Sequence, residues 1–206
     1  MTDRENMYRI IRFERPDYIK MTFHLSDSVW YHYDREAVFE LLESHPLLFP
    51  SFDRSEKEKA LAEKPAEIKS YRDRFGVLWD EAIPGIRGAV TEHPIKSLED
   101  ISEYKMPDVP VTDIEKERER VARQKQNGEF TCGSFGHGHT FLRATDLCGY
   151  ENVLFAMYDE DENINKLLSM IAEYNSGITT QLAQCGYDMI DFGEDLGMQV
   201  GPMLSP

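Results

Sequence analysis

The sequence predicts an α/β protein built on parallel strands. Two observations carry that expectation. The second half alternates strand-type and helix-type patterns, the order that right-handed βαβ units produce. Polar side chains also follow directly after the predicted strands. Length bounds the answer: 206 residues make a single domain over 1–206 the default and suffice to bury a core. Apolar residues make up 41% and charged residues 30%, the balance of a folded chain.

The elements follow in order. A short helix is expected from Arg4 to Phe13 and is stopped by Pro16. Tyr18 to Leu25 reads as a strand, with Ile19, Met21, Phe23 and Leu25 on one face and Lys20, Thr22 and His24 on the other. Asp34 is a good N-cap for a helix over Arg35 to Ser44, where Ala37, Val38, Leu41 and Leu42 keep helical spacing. Residues 55–73 are highly charged and helical in composition, with a restart at Pro65. Phe75 to Trp79 and Gly88 to Glu92 are expected as short strands around a Pro84-Gly85 turn. Ser97 caps a short helix reaching Tyr104, and Asp113 caps a charged one ending near Asn127-Gly128.

Phe130 to Ser134 is the next strand, running into the glycine-rich loop Gly133 to His139. Helices over about 140–148 and 150–157 follow. The longest helix starts in the acidic cluster Asp159 to Glu162, which suits the positive end of a helix dipole. Ile164, Leu167, Leu168, Ile171, Ile178 and Leu182 give it a clear 3-4 periodicity, and Gly186 closes it. Met189 to Phe192 is the last strand, ending at Gly193-Glu194-Asp195. Ser205 and Pro206 read as the N-cap and first residue of another helix.

Charge narrows the function. There are 38 acidic and 23 basic residues, a net charge of −15. That field repels phosphate backbones, so nucleic acid is not expected as a partner. Three cysteines, with no C-x-x-C spacing, suggest neither a disulfide framework nor a zinc finger, and a reducing cytoplasm fits best. Residues 1–15 are charged and unlike a signal peptide. No apolar run approaches the roughly 18 residues of a membrane span. The expected location is therefore cytoplasmic, with no membrane partner.

Sites in parallel α/β proteins lie at the carboxyl ends of strands. Three such ends are visible. His24 ends the first, His137 and His139 follow the second, and Glu194 and Asp195 end the last. If these strands are neighbours in a barrel, the groups meet on one rim. Histidine with carboxylate can bind a metal or transfer protons, so His137 and His139 read as ligand, general acid/base or substrate contact. The plainer reading is a glycine-permitted turn with locally bonded histidines. Glu194 and Asp195 are adjacent, so continued strand geometry would aim only one of them at a shared site. Met198 and Gln199 fall just after the last strand and could line a pocket. No nucleotide-binding, nucleophile-elbow or zinc-protease motif is present.

Several stretches carry a family resemblance. These are FGVLWD (75–80), EHPIKSLEDI (92–101), YKMPD (104–108), LRATDLCGYENVL (142–154), DFGEDLG (191–197) and GPMLSP (201–206). Together they resemble the uroporphyrinogen decarboxylase superfamily, with a pattern spread over most of residues 10–206. The resemblance implies a (β/α)8 TIM-type barrel with its site at the carboxyl ends of the strands. By the same resemblance the chain covers about the first four βα units, an N-terminal part of the domain. Known members either decarboxylate uroporphyrinogen without a cofactor or move methyl groups from a corrinoid carrier, often with zinc.

The arginine-rich motif M-R-Q-A-G-R-Y of the decarboxylases is replaced here by His24 to Trp30, with no arginine. Asp195 stands where decarboxylases carry a serine. A substrate with eight carboxylates needs cations, so the expectation leans to the corrinoid-linked methyltransferase-like branch. Uroporphyrinogen decarboxylation with altered anchors, and a non-catalytic or partner-dependent remnant, are the alternatives. Within the resemblance, His137, His139 and Asp195 are the expected catalytic residues. His24, Glu194, Met198 and Gln199 are expected to contact substrate. Cys132, Cys148 and Cys185 do not match the family's His-x-Cys and Cys zinc ligands, so no metal site is expected. A corrinoid or zinc would belong only to a complete family member. A small-molecule or corrinoid-carried substrate is the expected partner. Half a barrel exposes strand edges, which favours a homo-oligomer or pairing with a missing C-terminal half.

Overall fold

A computed structural model describes residues 1–206 except 22, 50–51, 64–69, 82, 87 and 205–206. Thr22, Pro65, Ser205 and Pro206 therefore lie outside the described residues. In chain order the helices are α1 (Asp3–Ile11), α2 (Val29–His32), α3 (Arg35–Ser44), α4 (Arg54–Glu63), α5 (Ile114–Gln126), α6 (Phe141–Cys148), α7 (Tyr150–Tyr158) and α8 (Glu162–Cys185). The strands are β1 (Ser70–Arg72), β2 (Leu78–Asp80), β3 (Ala89–Glu92), β4 (Cys132–His137), β5 (Met189–Gly193), β6 (Gly197–Met198) and β7 (Gly201–Pro202). A 3-10 turn occupies Leu98–Ser102. The protein is thus mixed α/β with small sheets, and among the described residues no closed barrel forms.

Two compact units divide the chain. The first comprises Met1–Tyr18, Arg74–Val77 and His93–Pro206; the second comprises Ile19–Asp73 and Leu78–Glu92. In the first unit β4 and β5 pair in parallel, with Cys132 opposite Met189 and Ser134 opposite Asp191. The helices α6 to α8 build the core from Leu147, Val153, Leu167 and Ile171, each at most 1% exposed. Leu167 and Ile171 are among the predicted apolar positions of the longest helix, and burying each of the four contributes roughly 1.5–3 kcal/mol. Asp161 caps α8 through Asn163 N, and Gly186 ends it at φ +79°, the left-handed cap that glycine takes without strain.

The second unit packs Trp30, Phe39 and Leu42 from α2 and α3 against Leu61 of α4. Arg54 lies 4.4 Å over the Phe39 ring and pairs with Glu36 at 2.7 Å. Asp34 caps α3 through Ala37 N, as its sequence position predicts. The antiparallel sheet has order β1-β2-β3.

Two local expectations are corrected. The described residues of 18–25 form no strand, and Ile19, Met21 and Phe23 expose 68%, 62% and 56% of their surface. Alternation is a necessary pattern only; a strand exists through its ladder partner. Residues 70–72 are strand, not helix. Their pairing with Leu78–Asp80 overrides a helical composition.

Candidate active site

The site grows from the parallel pair in the first unit. β4 and β5 end level with one another, His137 opposite Gly193. Beyond that point β4 must turn sharply into α6. Gly136 and Gly138 adopt φ of +86° and +73°, values that non-glycine residues reach only under strain. Gly138 N then donates to Gly193 O at 2.9 Å, which ties the loop across the strand ends.

Glu194 follows directly. Its carboxylate accepts from Thr140 N at 2.7 Å, Phe141 N at 3.1 Å and Leu142 N at 3.2 Å. These are the orphan donors that begin α6, at the positive end of its dipole. The carboxylate holds the loop-to-helix junction from another segment. His139 sits beside it, with Nδ1 3.8 Å from Glu194 Oε2 and 2.6 Å from Thr140 Oγ1. Asn175, on α8, donates from Nδ2 to His139 O at 3.0 Å and to Thr140 Oγ1 at 3.4 Å. The His139 ring meets Phe135 and Phe192 edge-on.

His137 Nε2 lies 3.2 Å from Asp195 Oδ2, both side chains being largely exposed. Glu194 and Asp195 therefore both reach the glycine-rich loop, one towards each histidine. The strand ends at Gly193, so strict alternation no longer separates them.

A cleft of about 190 Å³ opens here, lined by Phe75, Phe135, His137, His139, Arg143 and Tyr174. The Arg143 guanidinium lies 3.9 Å from the Phe75 ring centroid and 3.7 Å from Asp146. The cleft thus offers aromatic walls, two imidazoles and a guanidinium. This set can stack a planar group, hydrogen-bond it and move a proton.

Of the predicted residues, His137, His139, Glu194 and Asp195 come together. His24 belongs to the second unit, where it is exposed and outside any strand. Met198 lies in the β6–β7 hairpin and Gln199 at its turn; both are exposed and neither lines the cleft. Arg143, Thr140 and Asn175 were not legible as site residues. One signal was available for Asn175: it is a polar residue on the stripe of α8 that carries Ile171 and Ile178. Among the described residues no group of three or more His, Cys, Asp or Glu side chains is placed to hold a metal, and no helix is long and apolar enough to cross a membrane.

The opposite, amino-terminal ends of β4 and β5 are locked by charge. The Asp188 side chain is 1% exposed. It accepts from Arg4 Nη2 at 2.8 Å, Tyr8 Oη at 2.9 Å and Thr131 N and Oγ1 at 3.1 Å each, and Lys125 Nζ lies 3.0 Å away. Burial pushes this carboxyl up, but the bonds from Arg4, Lys125, Thr131 and Tyr8 outweigh it and hold it well below the usual carboxylate range. In parallel α/β proteins this end serves stability, and the other end serves chemistry.

Comparison with known proteins gives no match: no family model, curated protein or solved structure is significantly similar to the chain.

Proposed function

We propose that the chain is the N-terminal part of a uroporphyrinogen decarboxylase-like (β/α)8 barrel, of the corrinoid-linked methyltransferase-like branch. The single observation that carries this reading is the parallel β4–β5 pair with His137, His139, Glu194 and Asp195 gathered at its carboxyl end. That is where an enzyme of this architecture keeps its chemistry. A second feature agrees. Cys132, Ser134, Met189 and Asp191 share one face of the pair by register, and all four are exposed. Parallel sheets are normally covered on both faces, so this face suits the lumen of a barrel completed by further strands.

In this reading His137 and His139 are the proton-transfer or polar anchor groups. Asp195 partners His137, and Glu194 fixes the loop that carries both. Met198 and Gln199, which do not line the cleft, would join the substrate wall only in the completed barrel. The branch choice rests on the absence of arginine over His24 to Trp30 and on the net charge of −15.

Two assays test it. Methylcobalamin is expected to raise the melting temperature, and uroporphyrinogen is expected to yield no coproporphyrinogen. Coproporphyrinogen formed over many turnovers would move the chain to the decarboxylase branch. No response to either compound would favour a non-catalytic, partner-dependent remnant.

A further inference from the structure

We infer that Thr140 and Asn175 are positioning residues that fix the tautomer of His139, so that its Nε2 carries the proton and presents a hydrogen-bond donor to the cleft. The argument runs through three atoms. His139 O can only accept, so the Asn175 atom 3.0 Å from it is the amide nitrogen. The same nitrogen lies 3.4 Å from Thr140 Oγ1, and its second hydrogen is free to go there. A hydroxyl has one proton and two lone pairs; with one lone pair taken by Asn175 its proton points away from that amide, and Glu194 Oε2, at 3.8 Å, is too far from the ring nitrogen to compete for a hydrogen bond. His139 Nδ1, 2.6 Å away, is positioned to take it. Thr140 occupies the N-cap position of α6 yet makes no side-chain cap bond. Glu194 performs that capping from another segment, which leaves the Thr140 hydroxyl available to the imidazole.

Nδ1 is then an acceptor, and the neutral ring carries its proton on Nε2. Such a ring offers N–H to a ligand. With Arg143 in the same wall, the group that docks beside it is an acceptor oxygen, as of a carboxylate or carbonyl. This deepens the proposed role of His139 and rests on that reading for its functional meaning. The tautomer itself does not depend on it.

The fold carries its own reference. His93 Nδ1 lies 2.8 Å from Asp146 O, an atom that can only accept. His93 must therefore hold its proton on Nδ1, the opposite tautomer. Long-range proton–nitrogen spectra of the labelled full chain separate the two forms. The expected spectrum shows His139 with a protonated Nε2 and a bare Nδ1, and His93 reversed. Thr140→Val should convert His139 to a mixture, Thr140→Ser should restore the single form, and Asn175→Ala should weaken the preference. An unchanged His93 pattern certifies that each variant is folded. A wild-type His139 protonated on Nδ1, or one unaltered by Thr140→Val, would overturn the inference. No substrate is needed, so failure here is distinct from failure of the methylcobalamin and uroporphyrinogen assays.

Discussion

Replacing Asp188 by alanine removes the acceptor that joins α1, α5 and the starts of β4 and β5. Arg4, Tyr8, Lys125 and Thr131 all converge on this one carboxylate. Breaking a buried pair by deleting one partner costs about 3–5 kcal/mol. Here the two cations retain solvent contact, with side chains 37% and 26% exposed. They can rehydrate, so the lower end, about 3 kcal/mol, applies. For a chain of this size that corresponds to a fall of roughly 6–12 °C in Tm. Thermal and urea unfolding followed by circular dichroism measure it directly. The pH dependence gives a second check. The folded carboxyl lies below its unfolded value of about 3.9. Its stabilisation is therefore complete above that value and is lost as pH falls towards the folded one. The stability gap between wild type and Asp188→Ala should stay level from about pH 6 down to 5 and narrow below about 4. A gap under about 1 kcal/mol at neutral pH, or one that widens in acid, would refute the reasoning.

Three further expectations follow from the same structure. Glu194→Ala removes the acceptor for three backbone donors of α6 and should cost about 1–2 kcal/mol, with Glu194→Gln recovering part of it in the same unfolding assay. Phe39→Ala empties the core of the second unit, where Phe39 is 4% exposed, and should cost about 3–5 kcal/mol as read from the urea midpoint. Burial pushes the Cys148 thiol up to about 12, and Cys185 is also buried whereas Cys132 is exposed. An aromatic disulfide reagent at neutral pH should thus titrate Cys132 ahead of the other two thiols in the folded protein, and all three in denaturant.

Much of the local structure was legible. Asp34, Ser97, Asp113 and Gly186 marked their helix ends because capping is a short-range interaction between a side chain and nearby backbone groups. The stripe Ile164, Leu167 and Ile171 marked the buried face of α8 for a similarly local reason. Residues 18–25 and 70–72 were misread because strands depend on a remote partner. The site was half legible. The glycine-rich loop and the Glu194-Asp195 pair stood at strand ends, but Arg143, Thr140 and Asn175 acquire their roles only from what they face.

The linear order of residues determined most of the helices, several of their caps and the excess of negative charge. Those properties arise from neighbours within a few positions, or from simple sums. Only the tertiary structure decided that Glu194 caps a helix more than fifty residues earlier in the chain and that Asp188 gathers two cations. It also decided that Asn175 holds the Thr140–His139 pair. Each needs atoms within about 3–4 Å of one another, and distance in space is set by packing of the whole unit rather than by spacing along the chain.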